Sequence, residues 1–278
     1  MMSGVPTISA MLKSLTSYRI FLIAILCSVA IVTLKFLFHY FNFEPIEQSS
    51  LHSSVSSGVF FVVGFILSAT IADYKESERI PSDFSAAIDD MYEDAKAIHP
   101  SYPVFDLEGF RQQLHTVALS FGKDVREKSH DARKEVRALA AYFSSMESGK
   151  VPPNFIVKLK TQQFSLLRSL YRASYIQRIS FIPSATILVR STVALLIALL
   201  LLTNVDPFYG GLALVGLISF ILIYMLILID TISTPFHAEG KTRDDVSLFL
   251  MSEVAQHLAD SGLALPAEQK KPLPPTGV

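Results

Sequence analysis

Residues 55–81, VSSGVFFVVGFILSATIADYKESERIP, decide the architecture of this chain. The first 18 residues of the stretch carry no charge, and the charged run DYKESER follows them directly. No glycine or proline lies between Gly64 and Pro81, so the sequence predicts one helix that leaves an apolar medium and continues into water. Ser57, Phe61 and Phe65 recur at every fourth position and therefore share one face of that helix. A lone membrane anchor needs neither feature, whereas a helix that lines a constriction could use both.

Composition places the rest of the chain in the membrane class. Half of the 278 residues are hydrophobic, and the mean hydropathy is +0.40, which is too apolar for an ordinary soluble domain. A helix needs about 20 apolar residues to cross a bilayer core. Four segments approach this length, namely 20–41, 55–72, 187–205 and 210–229. The single cysteine, Cys27, lies in the first segment and cannot form a disulfide within the chain.

Lysine and arginine are distributed unevenly between the connecting segments. Residues 1–19 contain two of them and residues 73–186 contain 16, whereas the 42–54 loop and the loop around Asp206 contain none. Because cytoplasmic loops are enriched in these cations, we expect both termini and segment 73–186 on the cytoplasmic side of a cell (inner) membrane. The 16 cations of that segment accompany 15 acids, so the segment is nearly neutral and no nucleic-acid partner is expected.

These patterns predict an all-α, four-span transmembrane protein with a cytoplasmic helical domain. The predicted segments are a cytoplasmic N-terminus (1–19), a first transmembrane hairpin (20–72), a cytoplasmic helical domain (73–186), a second transmembrane hairpin (187–229), a cytoplasmic C-terminal segment (230–262) and a disordered, proline-rich tail (263–278). Within the helical domain, Pro81-Ser82-Asp83 predicts a new helix N-terminus. Breaks are expected at 99–103 and 149–153, and no sheet is expected because apolar residues do not alternate with period two.

The sequence contains no residue pattern that indicates catalysis or cofactor binding. The seven histidines show no ligand spacing on one helix, and CxxC and HExxH patterns are missing from the sequence, so a zinc site is not expected. No glycine-rich phosphate loop occurs either. Asp89 and Asp90 are adjacent and point apart on a helix, which favours a solvated face. We therefore expect neither an enzyme nor a bound cofactor or metal.

Two cations lie within the apolar segments, and each allows two interpretations. Lys35, six residues from the outer end of its helix, either snorkels to the membrane interface or lines a water-filled vestibule that attracts anions. Arg190 either pairs with Asp73 or Asp230 at the cytoplasmic boundary or takes part in an ion path. The Phe61/Phe65 face is likewise either a core or lipid contact or the lining of a pore. The serines that precede it favour a wet approach to a hydrophobic constriction.

Three motifs, in order, resemble those of one family. Phe61-Val62-Val63-Gly64-Phe65 with Tyr74-Lys75-Glu76 is similar to its pore helix and cytoplasmic continuation. Residues 187–192 (ILVRST) are similar to the start of its third helix. Asp230, followed five positions later by Pro235-Phe236 and then by Asp244-Asp245, is similar to its segment after the fourth helix. On these motifs the chain resembles the bestrophin family of ion channels over most of its length.

The resemblance implies a homopentamer in the lipid bilayer that conducts small inorganic ions, either anions such as chloride or monovalent cations. It places the pore neck at Ser57, Phe61 and Phe65, on the second helix of each subunit. The inner pore mouth then includes Asp73 and Arg190. Asp230, Pro235 and Phe236 form the post-helix motif.

Ser57 stands where the family usually has an apolar residue, and the sequence departs from the family at two further places. Residues 237–243 contain two cations where animal members have a dense acidic run, so the sequence predicts no calcium gating. Asp73 stands where the family has a basic residue, which leaves ion selectivity open. The alternative function is a non-conducting bestrophin-like scaffold whose helical domain binds a cytoplasmic partner.

Overall fold

The computed structural model describes residues 18–103, 105–127, 129–178, 183–236 and 245–263. Within these ranges the chain forms nine helices and two short strands. In chain order they are α1 (Arg19–Tyr40), β1 (Ile46–Glu47), α2 (Ser50–Ile98), α3 (Leu107–Glu127), α4 (Asp131–Ala138), α5 (Ala140–Ser148), α6 (Pro153–Arg178), α7 (Pro183–Leu202), β2 (Thr203–Asn204), α8 (Phe208–Ile232) and α9 (Phe249–Leu263). The predicted all-α class is confirmed. The predicted tail lies outside the described residues apart from Leu263, as does the predicted N-terminus before Tyr18.

Four helices are long and apolar enough to cross a membrane, and they correspond to the four predicted spans. They are α1, α2, α7 from Ser184 onward, and α8. The chain divides into two compact units, the first made of residues 1–77 and 176–246 and the second of residues 78–175 and 247–278. The four apolar stretches thus belong to the first unit.

In the first unit, α1 and α8 pack at short range through small residues. The Ser28 hydroxyl donates a hydrogen bond to the Gly216 carbonyl at 2.7 Å. A Cβ atom added at Gly216 would lie 2.9 Å from Val32 Cγ2, closer than side chains ordinarily pack. Small residues allow the backbones of apolar helices to approach and gain van der Waals contact, so Gly216 permits the close approach of α8 to α1.

In the first unit a buried ammonium group joins α1 to the end of α7 on the side that the sequence predicts as outer, and we call this contact the outer junction. The Lys35 side chain is only 1% exposed, and its Nζ lies 2.7 Å from Glu44 Oε1. The same Nζ donates hydrogen bonds to the Leu201 and Thr203 carbonyls, at 3.2 and 2.5 Å. Leu201 lies in the last turn of α7, where carbonyls lack partners within the helix. Both interpretations of Lys35 from the sequence are therefore wrong, because these acceptors hold the ammonium inside the protein.

Two further contacts complete this outer junction. His39 Nδ1 lies 2.9 Å from Glu44 Oε2, and its ring stacks on Phe208 with centroids 3.7 Å apart. The strands β1 and β2 pair in parallel, with Ile46 opposite Thr203 and Glu47 opposite Asn204. The pairing is too short to leave a periodic signal in the sequence. It joins the two loops that the sequence predicts on the outer side.

The second unit is a helical core built on one face of α2. Phe84, Ile88 and Met91 are fully buried, and the Phe84 ring packs on Phe121 of α3 with centroids 4.5 Å apart. Helix α9 packs against α3. The Arg111 guanidinium of α3 donates to the Leu258 carbonyl of α9 and pairs with Glu108. This arginine thus joins α3 to α9 through a side-chain hydrogen bond to the α9 backbone.

The predicted helix start at Pro81 is wrong, because α2 runs through this proline to Ile98. Proline inside a helix removes one backbone hydrogen bond and costs about 3 kcal/mol. Ile80 and Phe84 flank the buried Pro81 and are themselves buried. Burial of large apolar side chains stabilises by about 1.5–3 kcal/mol each, so the packing of this face outweighs the cost of the proline.

Replacement of Lys35 by Met should destabilise the protein by about 3–5 kcal/mol, because it leaves the Glu44 carboxylate buried without its ammonium partner. Thermal unfolding of the full chain in detergent measures this. The control is Lys96→Met, which removes an exposed lysine paired with Glu93 and should cost about 1 kcal/mol or less. The double variant Lys35→Met/Glu44→Gln should recover part of the loss. Equal, small effects of Lys35→Met and Lys96→Met would contradict the assignment.

The outer junction should also make stability depend on pH. Burial by itself raises the pKa of the Glu44 carboxyl, but the hydrogen bond with His39 and the ammonium of Lys35 outweigh it, and the pKa lies below its ordinary value of 4.5. The folded state then binds fewer protons than the unfolded state, so this stabilisation is complete above pH 4.5 and is lost as pH falls through the folded pKa.

The measurement compares the parent with Glu44→Gln at several pH values. The parent should melt at a clearly higher temperature at pH 7, and the difference should shrink below pH 4.5. A difference that stays constant down to pH 3 would show that the charge of Glu44 contributes nothing.

Candidate functional site

One face of the apolar half of α2 is left uncovered within the subunit. Phe61 and Phe65 are 75% and 68% exposed, and Ser57 is exposed one turn before them. The structure therefore places the three predicted neck residues on a common, open helix face. The Ser57 hydroxyl donates to the Ser53 carbonyl at 2.8 Å, so its donor is already satisfied by the helix backbone.

The opposite face of α2 fixes this orientation by packing. Val59, Val63 and Ile66 lie about half a turn of the helix away from Phe61 and Phe65, and they are buried. They belong to one apolar cluster with residues of α7 and α8, namely Val189, Val193, Leu196, Leu222 and Ile229. Rotating α2 to bury the two phenylalanines would expose these valines and Ile66.

Two glycines extend the open face. A Cβ atom added at Gly58 or at Gly64 would meet no atom within 4 Å. With Ser57, Ser68 and the two phenylalanines they form a surface of small residues and aromatic rings. The spacing of these glycines and of Ser68 was visible in the sequence, but it gains meaning only once the packed side of α2 is known.

Charged residues lie at the end of the apolar stretch of α2. Of the two residues predicted at the inner pore mouth, Arg190 forms an ion pair within the subunit. Asp73 is exposed on α2. Arg190 of α7 donates from Nη2 to both carboxylate oxygens of Asp230 of α8, at 2.9 and 2.8 Å. Of the two partners that the sequence left open for Arg190, the structure brings Asp230 to it.

A backbone hydrogen bond links the post-helix motif to the chain that follows it. The Val246 amide donates to the Pro235 carbonyl at 3.0 Å, and Pro235 is buried. This bond brings the chain back beside the end of α8, and Phe236 follows Pro235 directly. Residues 237–244, on which the expectation about calcium rests, lie outside the described residues.

Solved structures share this arrangement over nearly the whole chain. A bacterial bestrophin homologue from Klebsiella pneumoniae superposes with a TM-score of 0.75 at 15% sequence identity, covering 88% of this chain and all of the other. The chain has the bestrophin fold. A point variant of that homologue gives a TM-score of 0.74 at 14% identity, covering 86% of this chain and 97% of the other. A structure described only as a membrane protein gives 0.75 at 14% identity, covering 88% and 99%.

The likeness to bestrophins is one of fold. No protein-family model matches the sequence, and no curated protein matches it. The bestrophin fold together with four helices of spanning length and apolarity identifies an integral membrane protein.

No group of side chains suited to metal binding occurs in the described part of the chain. Among the described residues, no three histidine, cysteine, aspartate or glutamate side chains are grouped closely enough to hold a metal ion. The Asp89-Asp90 pair is engaged in partly exposed contacts instead. Asp89 lies 3.1 Å from His257 Nδ1, and Gln162 donates to Asp90 at 2.6 Å.

Proposed function

We propose that the chain is the subunit of a bestrophin-like homopentameric ion channel whose central pore is lined by α2. The observation that carries this proposal is the exposure of Phe61 and Phe65 on a helix whose other side is firmly packed. A pore requires several copies around a common axis, since the four apolar helices of one subunit pack on one another. The open face of α2 is then the surface that meets the axis.

The composition of the two exposed helix surfaces supports this assignment. The exposed side of α1 carries large apolar side chains, among them Phe21, Leu22, Leu26 and Val29, as expected for contact with lipid. The exposed face of α2 instead combines serines and glycines with two aromatic rings. Such a face fits a narrow passage in which apolar rings exclude water until they widen or rotate.

Replacing both Phe61 and Phe65 by Ala should raise single-channel conductance severalfold or leave the pore open, because the apolar constriction is removed. Planar-bilayer recording of purified pentamers measures this. The matched control is Leu26→Ala, which truncates an equally exposed apolar residue on α1 and should leave conductance unchanged. If pentameric parent and double variant both fail to conduct, the non-conducting scaffold replaces this proposal.

Charge at the end of the apolar stretch supports a second element of the proposal. Asp73 follows Phe65 by eight residues, so it lies beyond the neck toward the charged part of α2. Arg190 is already compensated by Asp230, which leaves less positive charge to offset Asp73. Five copies of Asp73 would form a carboxylate ring, and such rings attract cations and repel anions. We therefore propose that Asp73 biases the pore toward cations.

The substitution Asp73→Asn should lower the cation-to-anion permeability ratio by about two- to fivefold, which corresponds to about 0.5–1 kcal/mol of lost ion attraction at a solvated site. Reversal potentials under a salt gradient measure the ratio. Asp83→Asn, which removes a carboxylate from the same helix where it pairs with Arg79, is the control. An unchanged ratio in Asp73→Asn would remove Asp73 from the conduction path.

A further inference from the structure

The stretch around α6 has an unusual charge pattern. The chain contains no aspartate or glutamate between Glu147 and Asp206. The same interval contains seven lysines and arginines, and five of them lie on α6, namely Lys158, Lys160, Arg168, Arg172 and Arg178. Carboxylate partners for these cations must therefore come from other elements.

The positive charge on the first half of α6 is compensated by carboxylates of the second unit. Lys158 Nζ lies 2.7 Å from Asp94 of α2. Lys160 Nζ lies 3.0 Å from Glu147 of α5. These lysines thus form ordinary partly exposed ion pairs, and the charge pattern of α6 needs no further explanation there.

The second half of α6 instead faces additional arginines from α4. Along α4, Asp131 and Glu135 are four residues apart and share one side, whereas Arg133 and Arg137 share the opposite side. The Glu135 carboxylate accepts a hydrogen bond from Gln113 at 2.9 Å. The short helix thereby separates its charges, with the Glu135 carboxylate toward α3 and the guanidinium groups of Arg133 and Arg137 toward α6.

The guanidinium groups of Arg133 and Arg137 both contact Tyr171 of α6. The Arg133 Cζ lies 4.6 Å from the centre of the Tyr171 ring. Arg137 Nη2 donates to the Tyr171 hydroxyl at 3.1 Å. Arg168 lies three residues before Tyr171 on the same helix face. We call Arg133, Arg137 and Arg168 the arginine cluster.

The arginine cluster retains an unused hydrogen-bond donor among the described residues. Within the described residues, the Arg133 Nε is buried without a hydrogen-bond acceptor, and the contacts of Arg133 and Arg137 given above are to a neutral tyrosine. Tyr171 is 50% exposed, and Arg137 and Arg168 are exposed as well. Like charges held this close repel one another, and an anion at the surface would relieve that repulsion.

We propose that the arginine cluster is a binding site for a phosphate-bearing anion, either a free phosphate compound or the headgroup of an anionic phospholipid. Guanidinium groups match the geometry of phosphate oxygens through paired N–H donors, and they remain charged at all physiological pH values. The headgroup source is supported by sequence position, since α6 is followed closely by the apolar helix α7. Basic segments beside a membrane span attract anionic lipids.

The test is isothermal titration of the full chain in neutral detergent with two probes in separate experiments, inorganic pyrophosphate and dihexanoyl phosphatidylglycerol. At least one probe should bind saturably. Arg133→Gln/Arg137→Gln should weaken that binding about tenfold or more, because two charged donors are lost. Lys158→Gln/Lys160→Gln removes the same charge from the same unit and should bind as the parent does.

The two probes separate the possible sources of the phosphate. Pyrophosphate binding that depends on the arginines indicates a free anion, and dependence seen only with phosphatidylglycerol indicates a headgroup. Thermal unfolding checks that the variants are folded, and the exposed Arg168→Gln provides a milder variant that should also weaken binding.

Three results would overturn the proposal. The first is that neither probe binds. The second is that the arginine and lysine double variants weaken binding equally. The third is that the arginine double variant alters only the oligomeric state. The last result would make the cluster a contact between copies of the chain. None of these results depends on ion conduction, so the test is independent of the proposed channel function.

Discussion

The burial of the Lys35 ammonium ties the ends of α1 and α7 together in the first unit. A charge in an apolar interior is tolerated only when its hydrogen-bonding capacity is met, and here the acceptors come from three places. They are the Glu44 carboxylate after α1 and the carbonyls of Leu201 and Thr203 at the end of α7. The ends of α1 and α7 cannot separate without leaving the ammonium without partners.

This constraint extends to α2 through apolar packing. With the outer end of α7 held, its valines Val189 and Val193 form a fixed surface on which Val59, Val63 and Ile66 pack. That packing sets the rotation of α2 about its own axis, and the rotation leaves Phe61 and Phe65 uncovered. The buried Lys35–Glu44 ion pair thus helps to determine that Phe61 and Phe65 face outward on α2.

The arginines of the chain are used in different ways according to their partners. Arg190 is neutralised by a carboxylate on a neighbouring helix, so it contributes little net charge to its surroundings. Arg111 donates to the Leu258 carbonyl and pairs with Glu108. Arg133 and Arg137 are held by the ring and hydroxyl of Tyr171, a neutral partner that positions them without cancelling their charge. Of these three arrangements, the last leaves the guanidinium charge uncancelled by a carboxylate.

Local patterns in the sequence determined much of this protein, because hydrophobic periodicity and segment length are properties of neighbouring residues. They predicted the four apolar helices, the all-α class and the shared face of Ser57, Phe61 and Phe65. Tertiary structure alone decided which partners the buried and boundary charges would take. Lys35 meets carbonyls more than 160 residues away, and Arg190 meets Asp230 across 40 residues. Pro81 reads locally as a helix start, yet burial of its neighbours by distant side chains outweighs its missing hydrogen bond. These outcomes depend on free energies summed over contacts that the chain order does not reveal.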